Sequence, residues 1–492
     1  MLLLGVDLGS SSVKASVIDG ESGKCLATAF YPSQEMKIIA LKPGWAEQDP
    51  ETWWDNLKAS IVDCTGQLGK RKNEIRAIGI SYQMHGLVIV DTNLKLLRPS
   101  IIWCDSRAVS YGEKAFNDLG PDYCLSHLLN SPGNFTASKL AWVKENEMEI
   151  FSRIHKIMLP GDFIAMRMTG ELMTSFTGLS EGIFWDFKNN SVSAELLNYY
   201  GYNPEIIPRQ IPSFSVQGYL LKSVASEFGL PEGIPVSYRA GDQPNNALSL
   251  NVLEPGEVAA TAGTSGVIYG VTGETKFDPQ SRVNTFLHVN HSKDKQRLGV
   301  LLCINGTGIL NSWLKHNTGN NLSYDEMNDL AGKVTPGSEG LAVLPFGNGS
   351  ERMLGNRNIG ARLSGLNFNT HTKAHLFRAA QEGIVFSFRY GLDIMKETGI
   401  NPKVIRAGYA NMFQSPVFRE ALSCITGVEI HLYNTDGSIG AARGAGIGCN
   451  YYKSEKEAFA GLNEVEITYP DKTRTDLYES AYSTWKKYLL SI

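Results

Sequence analysis

The same order of strand, small hydroxyl-rich turn and strand occurs twice in this chain, once at its start and once near its middle. Backbone N–H groups and hydroxyls at such turns suit phosphate oxygens. Two similar hairpins in two halves of a chain could therefore face one triphosphate from opposite sides. The two patterns comprise residues 2–7, Gly9-Ser10-Ser11-Ser12 and residues 13–18, then residues 257–261, Gly263-Thr264-Ser265-Gly266 and residues 267–271.

The first turn permits two other interpretations. It does not read G-x-G-x-x-G, and a strand rather than a helix follows it, so a dinucleotide-binding motif is excluded. An ordinary Gly-Ser hairpin remains the alternative on local sequence alone. The repetition of the pattern in the second half favours the functional interpretation.

Chain length predicts two large domains. The chain has 492 residues, which exceeds the size at which a single hydrophobic core stops growing. We place an N-terminal domain at residues 1–243 and a C-terminal domain at residues 244–492. Mixed strands and helices in both halves predict an α/β fold.

Asp242 lies close to the predicted boundary. It follows the short apolar run 234–236 and stands between Gly241 and Pro244, two residues that interrupt regular structure. The pattern predicts an isolated carboxylate at the tip of a strand, shortly before the second hairpin.

Composition excludes several classes of protein. A net charge of -4 and a pI near 6.2 leave no basic surface for nucleic acid. Seven cysteines without a C-x-x-C pair are typical of a reduced, cytoplasmic protein. The apolar start at residues 2–6 meets Asp7 at once, and no apolar run approaches the ~20 residues of a membrane span. We therefore expect no membrane partner. The sequence leaves the oligomeric state undecided, with a homodimer as one alternative.

Local signals outside the hairpins are mostly structural. Asp49 and Pro50 predict the start of a helix, and Trp53 and Trp54 on that helix are more often core than ligand platform. Residues 174–180 read as a polar loop, which could line a pocket, although such hydroxyl runs are usually turns.

Several motifs together resemble a known family. The two turns resemble those of the actin and hexokinase type of ATP-binding fold, and residues 2–448 resemble the FGGY family of carbohydrate kinases. That resemblance implies two ribonuclease H-like domains with ATP and sugar in the cleft between them. It is carried by Gln83-Met84-His85-Gly86, Trp103-Cys104-Asp105-Ser106-Arg107, residues 134–146, Gly308 five residues before Trp313, and residues 404–416.

The resemblance implies a sugar site in the first half. A lone histidine after a strand is usually structural, and Trp103 could be a buried tryptophan beside a surface ion pair of Asp105 and Arg107. In the family these segments contact the sugar, and Cys104 departs from the usual Asn or Gln. The implied sugar-binding residues are Met84, His85, Trp103, Asp105, Asp242 and Gln243.

The resemblance also implies an ATP site. At residues 406–411 Ala407 and Tyr409 replace two glycines usual in the family, so the adenine pocket is expected to be narrower or to stack on Tyr409. Residues 134–146 are interpreted as a mainly structural helix. The implied ATP-binding residues are Gly9, Ser10, Ser11, Ser12, Lys14, Gly263, Thr264, Gly308, Gly408 and Asn411.

Phosphoryl transfer needs alignment of a hydroxyl with the γ-phosphorus and neutralisation of phosphate oxygens. Asp242 is the candidate base for the hydroxyl proton. Asp7 is the second candidate catalytic residue and would hold Mg²⁺, through water, because Mg²⁺ keeps several waters. Lys14 would add positive charge. Domain closure would exclude water and limit idle hydrolysis of ATP.

The expected function is ATP-dependent phosphorylation of D-xylulose to D-xylulose 5-phosphate, the branch of the family that the chain resembles most. Another ketose or polyol, such as L-ribulose, L-fuculose or glycerol, is the first alternative. An ATPase of the actin or heat-shock type is the second, but the sequence shows no peptide-binding β-domain or lid after its nucleotide half.

Overall fold

The computed structural model describes residues 1–319 and 321–492, and these form two compact units. Neither unit is continuous in sequence. The first comprises Met1–Leu253, Thr285–Leu298 and Thr435–Leu462, and the second comprises Glu254–Asn284, Gly299–Asn434 and Asn463–Ile492. The division predicted between residues 243 and 244 had assumed one boundary, whereas two later segments return to the first unit.

The β-strands of the described residues are short and distributed over both units. They are β1 (Leu2–Leu8), β2 (Val13–Asp19), β3 (Cys25–Tyr31), β4 (Glu47–Gln48), β5 (Ile75–Tyr82), β6 (Val88–Val90), β7 (Ser100–Ile101), β8 (Lys156–Met158), β9 (Met173–Ser175), β10 (Trp185–Asp186), β11 (Ser191–Val192), β12 (Arg209–Ile211), β13 (Val236–Gly241), β14 (Glu257–Ala262), β15 (Gly266–Thr272), β16 (Asn284–Leu287), β17 (Leu298–Ile304), β18 (Ala342–Phe346), β19 (Gly360–Ser364), β20 (Val404–Gly408), β21 (Glu429–Tyr433) and β22 (Glu464–Thr468).

The α-helices alternate with these strands. They are α1 (Pro50–Gly66), α2 (Val109–Leu119), α3 (Pro121–Tyr123), α4 (Thr136–Asn146), α5 (Met148–Phe151), α6 (Pro160–Thr169), α7 (Phe176–Glu181), α8 (Ala194–Tyr200), α9 (Lys222–Phe228), α10 (Asp242–Ser249), α11 (Gly308–Thr318), α12 (Tyr324–Gly332), α13 (Lys373–Glu397), α14 (Pro416–Thr426), α15 (Gly437–Gly448), α16 (Glu455–Ala458) and α17 (Lys472–Leu490).

The central sheet of the first unit has the strand order β13-β5-β1-β2-β3. Strands β1 and β2 form the antiparallel hairpin that the sequence predicts, and β3 extends it into a meander. Strands β1, β5 and β13 run parallel. The carboxyl ends of the three parallel strands therefore meet at one edge of the sheet.

Strand β1 shows how both faces of this sheet are covered. Successive side chains of a strand point to opposite faces. The even-numbered residues of β1 belong to the hydrophobic core that includes α1, whereas Leu3 belongs to the core that includes α15. Gly5 takes the next position on the α15 face, where a Cβ atom would collide with the backbone of Ser438. Asp7 continues this series and meets the start of α15.

The second unit, like the first, has a sheet in which an antiparallel hairpin lies beside parallel strands. Its strands run in the order β17-β15-β14-β20-β21-β22. Strands β14 and β15 form the predicted antiparallel hairpin, and β14, β20 and β21 are parallel. The long helix α13 and helix α14 contribute buried residues to its core. This repetition confirms the predicted two-part α/β fold of the actin and hexokinase type.

Two local predictions have opposite outcomes. Helix α1 begins as expected, because the Asp49 carboxylate accepts a hydrogen bond from the Glu51 N–H and Pro50 takes the first helical position. Trp53 and Trp54 on this helix are buried core residues. The prediction of a polar loop at residues 174–180 is wrong. This segment forms strand β9 and helix α7, because its hydroxyls bond to one another inside the unit, as Ser175 Oγ does with Thr177 Oγ1 at 2.9 Å.

No helix among residues 1–319 and 321–492 combines the length and the apolar character that a membrane span requires.

Candidate active site

Asp242 opens helix α10 directly after strand β13, as predicted for a carboxylate at a strand tip. Gly241, the last residue of β13, is paired in register with Tyr82 at the end of β5, and Tyr82 is paired with Leu8 at the end of β1. This register brings Asp242 to the sheet edge at which β1 and β5 also end. Ligands of open α/β sheets commonly bind outside the carboxyl ends of parallel strands.

The environment of Asp242 favours a base that works near neutral pH. Burial and, to a smaller extent, the negative charge of Asp7 together raise the pKa of this carboxyl to about 7, against a smaller opposing effect of hydrogen bonds from Gln243. A base is most effective when its pKa lies near the working pH. The Asp242 carboxylate can therefore both hold a proton and release it under ordinary conditions.

Asp7 lies beside the start of helix α15. Its Oδ1 accepts a hydrogen bond of 2.6 Å from Ser81 Oγ. A Cβ atom on Gly437 would lie 2.2 Å from Asp7 Oδ2, so only glycine fits there. Burial raises the pKa of Asp7, and the negative charge of Asp436 raises it further. The helix N-terminus partly offsets the negative charges collected at this point.

Lys14 contacts an acid that the sequence did not single out. Its Nζ lies 2.6 Å from Asp436 Oδ2, and both side chains are partly exposed. Asp436 also caps helix α15, because its Oδ1 accepts a hydrogen bond of 3.0 Å from the Ile439 N–H. The Asp436-Gly437-Ser438 sequence is typical of a helix start, which was the available signal for this residue.

The acids at this edge have the donor chemistry of a magnesium site. Asp7 is electrostatically coupled to both Asp242 and Asp436, and carboxylate oxygen is the ligand type that Mg²⁺ prefers. Across residues 1–319 and 321–492, no group of three or more His, Cys, Asp or Glu side chains is arranged to bind a metal directly. Mg²⁺ that is held by one carboxylate and several waters fits this arrangement.

The turn between β1 and β2 is fixed by hydrogen bonds to its backbone. The Gly9 N–H donates to the Ser12 carbonyl at 3.0 Å, and the Met36 N–H donates to the Ser11 carbonyl at 2.8 Å. Gln48 Nε2 donates to the Ser10 carbonyl at 2.7 Å. The turn therefore keeps its shape through hydrogen bonds that involve all four of its residues.

Gln48 links this turn to the predicted sugar segment. Its Oε1 accepts hydrogen bonds from Trp53 Nε1 at 3.0 Å and from Gln83 Nε2 at 3.1 Å. The Gln83 N–H in turn donates to the Leu8 carbonyl at 2.7 Å. The first turn and the segment that begins at Gln83 are thus parts of one hydrogen-bonded network.

Met84 and His85 pack at the same sheet edge as Asp242. A Cβ atom on Gly241 would lie 2.5 Å from Met84 Cγ and 2.5 Å from Glu181 Oε2. His85 Nδ1 lies 3.0 Å from the Glu181 carbonyl oxygen. Because a carbonyl oxygen only accepts hydrogen bonds, Nδ1 carries a proton in this contact, and Nε2 is an acceptor when the ring is neutral.

The His85 ring is also held by aromatic contacts. Its centroid lies 4.7 Å from that of Phe135 in an edge-on arrangement and 5.5 Å from that of Phe286. Glu181 is buried, and burial raises its pKa well above the ordinary range of a glutamate, with a further contribution from the charge of Asp242. Burial therefore favours the protonated form of Glu181 at the back of the site. Glu181 was missed because nothing in Ser180-Glu181-Gly182 signals its position.

The structural alternative considered from the sequence was a buried Trp103 beside a surface ion pair of Asp105 and Arg107. The structure shows the opposite arrangement. Trp103 is 52% exposed and its Nε1 lies 3.5 Å from Ser10 Oγ, whereas Asp105 is 0% exposed. Asp105 Oδ2 accepts hydrogen bonds from Arg107 Nη2 at 2.7 Å and from the Ala46 N–H at 2.6 Å.

This burial argues against the predicted role of Asp105 as a sugar ligand. An enclosed carboxylate that is already bound by arginine and a backbone N–H presents no oxygen to a sugar hydroxyl. Arg107 Nη1 also lies 2.6 Å from Glu47 Oε1, and its guanidinium stacks over Trp45 with 3.8 Å to the ring centroid. Asp105 therefore supports the loop that carries Trp103 rather than contacting the sugar directly.

The turn between β14 and β15 is built against the start of α11. The Gly308 N–H and Thr307 Oγ1 donate to the Gly263 carbonyl at 2.7 and 2.8 Å. The Ile309 N–H donates to the Thr264 carbonyl at 3.2 Å. A Cβ atom on Gly308 would lie 2.5 Å from the Gly263 oxygen, so the close approach requires glycine. Three predicted ATP-binding residues of the second unit therefore lie together.

Gly408 and Asn411 belong to the same edge of this sheet. Gly408 ends β20, which runs parallel to β14. Asn411 has a left-handed backbone with φ of 53°, and a Cβ atom on Gly263 would lie 3.7 Å from its Nδ2. Tyr409 is 43% exposed. The structure therefore brings Asn411 to the hairpin turn and leaves Tyr409 accessible.

These features define a carbohydrate kinase, and comparisons with known proteins agree. The profile of the N-terminal domain of the FGGY family of carbohydrate kinases matches residues 2–249, and that of its C-terminal domain matches residues 258–449. The chain belongs to the FGGY family of carbohydrate kinases.

Individual relatives match over nearly their whole length. The chain is 28% identical to a xylulose kinase of Bacillus subtilis, with 98% of this chain and 97% of the relative covered. It is 27% identical to a xylulose kinase of Escherichia coli, with 99% and 98% covered. The crystal structure of a xyloylose kinase from Brucella ovis superposes with a TM-score of 0.91 at 26% identity and covers 100% of this chain and 99% of that chain.

Proposed function

We propose that this chain transfers the γ-phosphoryl group of ATP to D-xylulose and forms D-xylulose 5-phosphate. The observation that carries this proposal is the Met84-His85 segment beside Asp242, with His85 Nδ1 3.0 Å from the Glu181 carbonyl oxygen, a contact that makes Nε2 of the neutral ring an acceptor. The similarity to xylulose kinases supports the same substrate. Met84, His85, Trp103 and Gln243 line the sugar site in this proposal.

Asp242 is the base of the proposed reaction. As the sugar hydroxyl attacks the γ-phosphorus, a phosphorus–oxygen bond forms to the sugar and the bond to the ADP oxygen breaks. The hydroxyl proton passes to an Asp242 carboxylate oxygen, and the electron pair of the broken bond stays with ADP. Burial around Asp242, which raises its pKa to about 7, supports this role.

The remaining predicted residues bind the nucleotide in this proposal. Lys14 would exchange part of its contact with Asp436 for phosphate oxygens. When bound, Mg²⁺ would neutralise phosphate oxygens, and Asp7 would hold it through water. The proposed ATP-binding residues are Gly9, Ser10, Ser11, Ser12, Lys14, Gly263, Thr264, Gly308, Gly408 and Asn411. Cytoplasmic location and a homodimer stay predictions.

A coupled assay of ADP release over a panel of sugars tests the substrate. The panel contains D-xylulose, L-ribulose, L-fuculose and glycerol at saturating Mg·ATP. The highest kcat/KM is expected with D-xylulose. A preference for another member of the panel would replace the substrate while leaving the kinase assignment intact, and ADP release independent of sugar would contradict a sugar kinase.

Asp7→Ala is expected to impair the use of Mg·ATP far more than sugar binding. The loss of a charge-assisted interaction predicts a fall in kcat/KM for Mg·ATP of about 10- to 100-fold. The measurement is a titration of Mg·ATP at saturating sugar, followed by a titration of sugar at saturating Mg·ATP. Unchanged kcat together with an unchanged KM for Mg·ATP would rule out this role of Asp7. Ser16→Ala on the neighbouring strand is a matched control, since the Ser16 hydroxyl contacts Ser438 and Thr28 instead.

A further inference from the structure

The backbone of His85 has a conformation that a histidine rarely adopts. Its φ is 61°, in the left-handed region that favours glycine. Residues in such regions persist only where the surroundings hold them, and they cluster at functional sites. A group that fixes this conformation therefore controls where the His85 ring lies.

Lys139 on helix α4 is placed to do this. The residue is 0% exposed. Its Nζ donates to the His85 carbonyl at 2.8 Å and to the Ile102 carbonyl at 3.0 Å. These two carbonyls belong to the segments that carry Met84 and Trp103. One buried amine thus ties together the two loops of the proposed sugar site.

Lys139 holds the two loops together through hydrogen bonds, which do not require its amine to be charged. Burial lowers the pKa of Lys139 to about 7, and the charge of Asp105 opposes that shift. Cys104 also favours the protonated form and Arg107 disfavours it. Even a neutral amine keeps two N–H donors, which is the number that the two carbonyls require. The contacts therefore persist in both protonation states.

We propose that Lys139 is a positioning residue for the sugar, which holds His85 in its left-handed conformation and fixes the loop of His85 against the loop of Ile102. With His85 so held, the ring places its Nδ1–H on the Glu181 carbonyl and presents Nε2 as an acceptor. Lys139 itself does not contact the sugar. The inference rests on the proposed function only in taking a sugar as the ligand.

The test is a double-mutant cycle of Lys139→Met and His85→Ala. Methionine keeps an unbranched apolar stem but provides no donor. Lys139→Met is expected to raise the KM for sugar about 10-fold or more, the usual effect of losing a hydrogen bond to a buried group, with the KM for Mg·ATP unchanged. In the His85→Ala background the same substitution is expected to have a much smaller effect on the KM for sugar, because only its effect on the loop of Trp103 is left. Additive effects in the cycle, or an unchanged KM for sugar, would overturn the proposal.

Ser138→Ala is the matched control. Ser138 is the neighbouring buried residue on the same helix, but its Oγ contacts the Pro132 carbonyl and the Tyr200 hydroxyl instead. Its KM for sugar should equal that of the wild type. If Lys139→Met does not fold, Lys139→Gln, which keeps one amide donor group, enters the same cycle, and the same additivity would count against the proposal.

A second readout separates this inference from the substrate assignment. Nitrogen-15 spectra of histidine side chains, with the His85 signal identified by its loss in His85→Ala, should show the Nδ1-protonated tautomer in the wild type and a mixture in the Lys139 variant. If D-xylulose is not the preferred sugar, the cycle is run with the preferred one. If no sugar is phosphorylated, the proposed function fails, and the tautomer alone decides: an unaltered tautomer in the variant would overturn the role of Lys139.

Discussion

Asp242→Asn is expected to lower kcat by about 10² to 10⁴, which is the usual contribution of a general base. Asparagine keeps the shape of the side chain but cannot accept the hydroxyl proton. Because the side chain keeps its shape, binding of sugar and of Mg·ATP should change much less than turnover. The substitution also removes a negative charge next to Asp7. The measurement is steady-state kinetics with both substrates varied in turn.

Ser249→Ala on the same helix provides the control for this variant. Ser249 is buried and its Oγ bonds to the Asn246 carbonyl at the far end of α10. Its kcat should stay close to that of the wild type. A near-normal kcat in Asp242→Asn would exclude Asp242 as the base, since no other change in that variant could restore a proton acceptor at the same place.

The raised pKa of the Asp242 carboxyl predicts that kcat/KM for sugar depends on pH. Burial raises its pKa to about 7, so its basic form is lost as the pH falls through that value. We expect kcat/KM for sugar to decrease about tenfold per pH unit on the acidic side. Bound Mg²⁺ favours the ionised form and would move this limb below pH 7. A profile that stays flat down to pH 5, or a limb that persists in Asp242→Asn, would assign the titration to another group.

His85→Ala is expected to reduce kcat/KM for D-xylulose by roughly 10- to 1,000-fold, through the loss of one or two hydrogen bonds of about 1.5 to 3 kcal/mol each. A site built to bond particular hydroxyls discriminates against sugars that lack them, because its buried polar groups are then left unpaired. The preference for D-xylulose over L-ribulose and glycerol should therefore narrow as well. Use of Mg·ATP should hardly change.

His127→Ala serves as the matched control for this second variant. His127 belongs to the same unit, but its Nδ1 contacts Asp186 at 3.0 Å and its ring stacks on Tyr123. Its loss should leave the sugar kinetics unaltered. If His85→Ala changes neither the efficiency nor the preference among the three sugars, His85 does not contact the substrate and the assignment of D-xylulose loses its main support.

Local patterns in the sequence predict the framework of both units well. Apolar runs broken by hydroxyl-rich turns define β1, β2, β14 and β15, because strands and tight turns depend on neighbouring residues. The helix start at Asp49 is predicted for the same reason. Asp242 was found because Gly241 and Pro244 mark the end of its strand within a few residues.

Contacts between distant segments account for what the sequence did not show. Glu181, Lys139 and Asp436 reach the site from helices whose local sequences carry no catalytic pattern. The burial of Asp105 depends on Arg107, Ala46 and Glu47 meeting around it. The run 174–180 is polar in composition, but its hydroxyls satisfy one another, so it folds into regular structure rather than a loop.

The late position of helix α15 in the sequence affects how the protein folds during translation. This helix comes from the segment Thr435–Leu462, yet it covers β1 and β5 so closely that Gly5 and Gly79 admit no side chain against it. Domains generally fold in the order in which the ribosome releases them. Here the first strands to emerge must wait, with one face uncovered, until nearly the whole chain has been translated. A nascent chain stalled before Gly437 would thus expose this face to chaperones, and a gene fragment ending at Leu253 would encode an incomplete unit.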